Sequence, residues 1–188
     1  MIGYTVPWGR HPSGGCRADT IEGGDGIDTA DYSTSGAAVF VDLATDAANL
    51  GDAAYDTLTG IENLRGSAFD DLLNGNAAAN RIEGLDGSDQ VNAGDGAGIV
   101  DGGAGQDTLR GDAGDDRLAG GAGSDILRVG VGADHLTAGA NYDTGSYWAS
   151  AVGVNIDLKT MSTPAMMPRA APSTTTSNSS TAATMTTP

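Results

Sequence analysis

Residues 102–128 read GGAGQDTLR, GDAGDDRLA and GGAGSDILR. These are three consecutive nonapeptides with glycine at positions 1 and 4, Asp at position 6 and Leu at position 8. Carried outward, the same phase divides residues 66–146 into nine units with no insertion. Position 8 is Leu73, Ile82, Val91, Val100, Leu109, Leu118, Leu127 and Leu136 in the first eight, and position 6 is Asp in seven of the nine. Two further units stand upstream, GGCRADTIE at 14–22 and GGDGIDTAD at 23–31. A fixed period of this kind marks a solenoid, in which each repeat is one small structural unit.

The residue types explain what one unit does. The half GGxGxD turns sharply, because glycine accepts a positive φ without a Cβ clash. Its carbonyl oxygens are expected to lie outside any ladder and to face an ion, and Asp adds a carboxylate. An all-oxygen, flexible donor set suits calcium better than magnesium. The other half, xUx, predicts a very short strand with one apolar side chain inward. One unit buries almost nothing, so only stacking creates a core.

The pattern resembles the RTX family, the haemolysin-type calcium-binding repeats with the consensus GGxGxDxUx. Units 102–110 and 120–128 match that consensus at every fixed position, and 111–119 misses only its second glycine. The resemblance implies an all-β fold, a right-handed parallel β-roll (β-solenoid) with two nonapeptides per 18-residue turn. It also implies Ca2+ between stacked turns on both edges.

Sorting position 6 by parity makes the two edges unequal. One edge carries Asp71, Asp89, Asp107, Asp125 and Asp143; the other carries Asn80, Gly98, Asp116 and Asp134. The metal ligands implied on the first edge are Asp71, Gly84, Gly87, Asp89, Gly102, Gly103, Gly105, Asp107, Gly120, Gly121, Gly123, Asp125 and Asp143. Those on the second are Gly111, Gly114, Asp116, Gly130, Gly132 and Asp134, and Asp28 serves the upstream unit. The strongest sites are expected between 102–107 and 120–125, with weak or empty ones around Asn80 and Gly98. A metal-free solenoid with solvated Asp turns is the competing reading. The in-phase recurrence of Asp with glycine argues against it, because a column of like charges needs cations.

Residues 32–65 break the phase. Alternation predicts a strand over Val39–Leu43 and another over Leu58–Leu64, in a segment read as thickening or capping the roll. Residues 138–160 echo 23–45 at a constant offset of 115: Tyr147 matches Tyr32, Val154 matches Val39, and Asp157-Leu158 matches Asp42-Leu43. Residues 147–160 thus read as the start of a second inter-repeat segment. Tyr142, Tyr147 and Trp148 are expected to cover a solenoid end rather than to form a carbohydrate platform. The irregular N-terminus covers 1–13. The tail 161–188 is rich in Ser, Thr, Ala and Pro and is expected to be disordered. The codons of residues 165–178, shifted by one nucleotide, can spell a relative of GDAAYDTLTGIE (51–62). A frameshifted continuation and a C-terminal export signal are the two readings of that tail.

Composition sets the remaining bounds. Of 188 residues 30 are Gly, aromatics are 5%, and 25 acidic against 9 basic residues give a formal charge of -16. Such a chain repels itself and favours a cation partner, whereas nucleic acid needs a basic face. Cys16 alone forms no intrachain disulfide. No apolar run approaches the roughly 20 residues of a membrane span, and the N-terminus lacks a secretory signal pattern. His11 and His135 lie far apart, and neither HExxH, GxSxG nor a Walker loop occurs. Asp70-Asp71 and Asp115-Asp116 read as repeat ligands rather than glycosidase carboxylates. The chain is therefore expected not to be an enzyme.

By the resemblance, it is a secreted, extracellular calcium-binding module that folds when calcium binds and leaves the cell through the type I secretion apparatus. It is expected as a monomer or a fragment of a larger protein. The alternatives are an adhesin or matrix spacer, and the repeat portion of a secreted hydrolase or toxin whose catalytic domain lies elsewhere.

Overall fold

The computed structural model describes residues 18–147, together with strands at Thr5–Pro7, Val154–Asp157, Thr175–Ser177 and Ala183–Met185. Cys16, His11 and Trp148 lie outside the described residues, as does most of the tail 161–188. The described parts of that tail, Thr175–Ser177 and Ala183–Met185, pair antiparallel with Thr144–Ser146 and Val154–Asp157.

Two parallel sheets wind around one narrow core, as a β-solenoid. Sheet A carries, in spatial order, Thr29–Asp31, Asn63–Arg65, Arg81–Asp86, Ile99–Ala104, Arg117–Ala122, His135–Ala140 and Val154–Asp157. Sheet B carries Leu72–Asn74, Gln90–Asn92, Thr108–Ala113, Ile126–Val131 and Thr144–Ser146. The chain alternates between sheets, and within residues 63–146 each rung pairs with the one 18 residues away: Leu109 with Leu127, Val100 with Leu118. Position 8 is the inward residue throughout; Leu73, Ile82, Leu109, Leu118, Leu127 and Leu136 are all at most 1% exposed. A strand alternates faces, so position 1 of the next unit points inward as well. It is Gly84, Gly102, Gly111 or Gly120 where space is tight, and Ala93, Val129 or Ala138 elsewhere, all buried.

The strands are longer than expected in the middle of the roll. Instead of three residues they run for six, from position 7 through position 3 of the next unit, as in Ile99–Ala104 and Arg117–Ala122. Part of the glycine-rich half therefore joins the ladder, with Gly103 opposite Gly121 and Ala104 opposite Ala122. The sharp turn shrinks to positions 4–6.

Residues 32–65 are built into the roll; they do not cap it. Phe40–Asp42 joins sheet B beside Leu72–Asn74, then doubles back through an antiparallel strand, Ala47–Asn49, to Thr57–Thr59, which pairs parallel with Thr20–Glu22. Sheet B thus gains an antiparallel excursion while sheet A passes directly from Thr29–Asp31 to Asn63–Arg65. Sheets of unequal strand number open the interior, and Tyr32, Val39, Val41, Leu43, Leu58 and Ile61 fill it. The strand expected over Leu58–Leu64 is two strands, Thr57–Thr59 in sheet B and Asn63–Arg65 in sheet A. Gly60 between them has φ 65°, a left-handed turn that glycine adopts without strain.

The echo at offset 115 survives with the sheets exchanged. Thr29–Asp31 of sheet A is followed by Phe40–Asp42 of sheet B, whereas Thr144–Ser146 of sheet B is followed by Val154–Asp157 of sheet A. Tyr147 packs against the core, as a covering residue should, whereas Tyr142 is 64% exposed. No helix among the described residues is long and apolar enough to cross a membrane.

Candidate metal centre

The position-6 side chains do not project into solvent. Asp28, Asp71, Asp89, Asp107, Asp116, Asp125, Asp134 and Asp143 are each at most 2% exposed. Each tucks under its own turn, between the backbone of positions 1–5 and the neighbouring coil. One carboxylate oxygen is used in a turn-to-turn ladder. The backbone N–H of Asp71 donates to Asp89 Oδ1 (2.8 Å), Asp89 to Asp107 (2.8 Å), Asp107 to Asp125 (2.9 Å) and Asp125 to Asp143 (3.0 Å). On the other edge Gly98 donates to Asp116 (2.7 Å) and Asp116 to Asp134 (3.1 Å). The parity sorting made from sequence is therefore a physical division: the first column is hydrogen-bonded from Asp71 to Asp143, and the second from Gly98 to Asp134.

The second oxygen is different. Oδ2 of Asp89, Asp107, Asp116, Asp125 and Asp134 is buried with no hydrogen-bond partner. Within each repeat it lies against the glycine at position 1: Gly84, Gly102, Gly111 and Gly120 face the carboxylates of Asp89, Asp107, Asp116 and Asp125. A buried unsatisfied polar group costs about 1–3 kcal/mol, more if charged. Five of them cost on the order of 5–15 kcal/mol, as much as the whole net stability of a typical domain. Such a fold needs either protons or cations at these oxygens. Burial pushes Asp89 up to about 7, helped by Asp71, Asp107 and Asp70 and opposed by the N–H of Asp71. Burial likewise raises Asp116 and Asp125 to about 6, and moves Asp107 and Asp134 upward.

The donor set around these oxygens is backbone. The coils approach closely because positions 2 and 4 are glycine. Gly121 has φ 104°, and a Cβ there would run into the carbonyl oxygen of Gly103 one turn back. The same relation holds between Gly103 and the Leu85 oxygen, Gly105 and Gly87, Gly123 and Gly105, Gly114 and Gly96, Gly130 and Asp112, and Gly132 and Gly114. Among the described residues no three His, Cys, Asp or Glu side chains converge on a metal position. An ion at these turns would draw on one carboxylate per repeat and otherwise on carbonyl oxygens. Isolated carboxylates among glycine carbonyls are a hard-oxygen environment, which fits calcium and not a thiolate- or imidazole-seeking metal.

Not every predicted ligand carries an orphan oxygen. Asp71 is fully served by protein: Oδ1 accepts from Val39 N–H (2.7 Å) and Ser67 Oγ (2.7 Å), and Oδ2 from Ser67 N–H (2.6 Å). Asn80 accepts from Asn76 N–H (2.8 Å) and donates to the Glu62 carbonyl (2.7 Å). At Gly98 the Cβ of Ala93 fills the room a side chain would take. Asp28 heads the column of Asn80, and its N–H donates to Glu62 Oε2 (2.8 Å), the carboxylate one coil along.

Sequence reasoning passed over two residues in these columns. Glu62 stands in for a position-6 aspartate towards Asp28, and Asp56 does so towards Asp19, accepting its N–H at 2.9 Å. The second Asp56 oxygen accepts from the buried Tyr32 hydroxyl at 3.3 Å. Counting one residue back from Thr57 and Asn63, where the two strands begin, finds Asp56 and Glu62. Asp70 and Asp115, read from sequence as repeat ligands, have another job. Both are exposed, and their Oδ1 atoms accept the N–H of Ser88 (2.7 Å) and Ala133 (2.8 Å) 18 residues ahead, which ties turn to turn on the outer surface.

The family model described as the RTX calcium-binding nonapeptide repeat, in four copies, matches residues 13–31, 56–91, 65–100, 92–127 and 110–144. The matched residues include all five orphaned carboxylates, and they include the irregular repeat that begins at Asp56.

Proposed function

The chain belongs to the RTX calcium-binding nonapeptide repeat family, and on that premise we propose that it is a secreted module whose folding is driven by calcium. The observation that carries this reading is the set of buried, partnerless Oδ2 atoms at Asp89, Asp107, Asp116, Asp125 and Asp134. Without a counter-ion these carboxylates oppose the fold; with one they cement adjacent coils. Metal-binding free energy then becomes folding free energy. The net charge of -16 acts in the same direction, since it expands the metal-free chain.

Calcium sites of extracellular modules work at about 10⁻⁴–10⁻³ M. Repeats tuned to that range stay unfolded where calcium is scarce and fold where it is plentiful, which suits export through a type I apparatus before the roll has formed. In this reading the chain is a binding and folding module with no catalysis of its own.

The test is stability against heat in chelator, in calcium and in magnesium. Calcium should raise the midpoint strongly and in a concentration-dependent way. Magnesium should do little, because it demands a tighter octahedral shell. Equal stabilisation by both ions, or by neither, would remove the reading.

A further inference from the structure

We propose that residues 32–82 form a metal-independent nucleus on which the calcium-dependent turns, residues 84–144, assemble. The inference rests on the calcium reading above and adds a division of labour within the chain.

The division appears in the carboxylates. In the first region the buried acids and amide find partners in the protein itself. Asp56 is served by Asp19 N–H and the Tyr32 hydroxyl, Asp71 by Val39 N–H and Ser67, and Asn80 by Asn76 N–H and the Glu62 carbonyl. In the second region Asp89, Asp107, Asp116, Asp125 and Asp134 each keep an orphan oxygen. The boundary is sharp: Asp71 and Asp89 are adjacent in one column, 18 residues apart, and only the former has Ser67 beneath it. Ser67 is a serine where the regular unit has its second glycine.

Packing divides at the same place. Nine buried apolar side chains larger than alanine fall within residues 32–82: Tyr32, Val39, Val41, Leu43, Leu58, Ile61, Leu64, Leu73 and Ile82. The longer stretch 83–144 has seven, spaced as one per rung apart from Val129. The first region also contains the antiparallel pair Phe40–Asp42 and Ala47–Asn49, a hairpin contact that closes over a short loop. Local pairing of that kind forms early, whereas each parallel rung must close 18 residues. The nucleus then offers a finished rung: Asp71 N–H is presented to Asp89, and Leu72–Asn74 to Gln90–Asn92. Each added turn repeats the step, which fits the nearest-neighbour energetics of solenoids.

Hydrogen exchange read by mass spectrometry on the full chain, in chelator and in saturating calcium, tests this. The expected result is protection of 32–82 in both conditions and of 84–144 only in calcium. If both regions are unprotected in chelator and both protected in calcium, the nucleus is refuted while the calcium reading stands. If both are protected in chelator, the calcium reading itself fails, as it does if calcium protects neither. Tyr32→Phe supplies a second arm. Losing the hydroxyl that serves Asp56 should speed exchange in 32–82 by about tenfold in chelator. With calcium saturating, 84–144 should be unchanged. No acceleration in 32–82 would show that the Tyr32–Asp56 contact does not support a metal-free unit.

Discussion

The backbone N–H of Asp89 donates to Oδ1 of Asp107, one turn along, at 2.8 Å, and Oδ2 of Asp107 is left buried with no partner. This one relation joins the fold to its chemistry. The first oxygen fixes the register of the stack, and the second creates a demand for positive charge at the turns of Asp89, Asp107, Asp116, Asp125 and Asp134.

Replacing Asp107 and replacing Asn80 should therefore have opposite consequences. Asp107→Asn removes a buried charge, so it should stabilise the metal-free state by about 1–3 kcal/mol while lowering the amount of calcium bound. Asn80→Ala leaves Asn76 N–H and the Glu62 carbonyl unpaired. It should cost about 1–3 kcal/mol with or without calcium and leave the bound calcium unchanged. Equilibrium dialysis and urea melts on both variants check this; equal loss of calcium contradicts the division into columns.

Acid should act in opposite directions on the two states. In the metal-free fold burial raises Asp89 to about 7 and Asp116 and Asp125 to about 6, from the ordinary carboxylate value of 3.8. The folded chain then holds more protons than the unfolded chain between those values. Its stability rises as pH falls through about 7 to 4, and levels off once the unfolded carboxylates are protonated too. With calcium bound, protons compete for the same oxygens, so stability falls over the same window. Melts from pH 7.5 to 4.5, with and without calcium, should diverge in slope; parallel slopes would contradict the account.

Gly121→Ala should damage the roll even when calcium is saturating. The residue sits at φ 104°, and the new Cβ would meet the Gly103 carbonyl oxygen. The expected cost is more than about 1–3 kcal/mol, the usual range for backbone held in a sparsely populated region, because the coil spacing must also widen. Gly24 is the control: its φ is 84°, but nothing lies within 4 Å of an added Cβ. Gly24→Ala should cost only the local strain. Urea melts in saturating calcium separate the two, and equal costs would show that coil-to-coil contact does not govern the glycines.

The regular part of this molecule was legible because its period is short and its signals coincide. Leu109, Leu118 and Leu127 fix the core line, Asp107, Asp116 and Asp125 fix the columns, and both recur in the same phase. The course of 32–65 was less legible, because its register depends on which sheet each strand joins. Phe40–Asp42 alternates like any half-buried strand, and nothing local says that it will pair with Leu72–Asn74 rather than with its own predecessor. The state of Asp71 was hidden for a related reason. Its partners, Val39 and Ser67, are a residue from the irregular segment and a departure from the glycine consensus, and their meeting is a tertiary event. The length of the central strands is not legible from glycine's role as a turn former. At Gly103 and Gly121 glycine keeps the ladder while letting neighbouring coils approach.

The most direct measurement is a far-ultraviolet circular dichroism titration of the metal-free protein with calcium at neutral pH, followed by chelator. The account predicts a cooperative gain of β-structure on addition and its loss on chelation, with a smaller β-signal persisting from residues 32–82. A spectrum already fully β-structured in excess chelator, and unmoved by calcium, would contradict it.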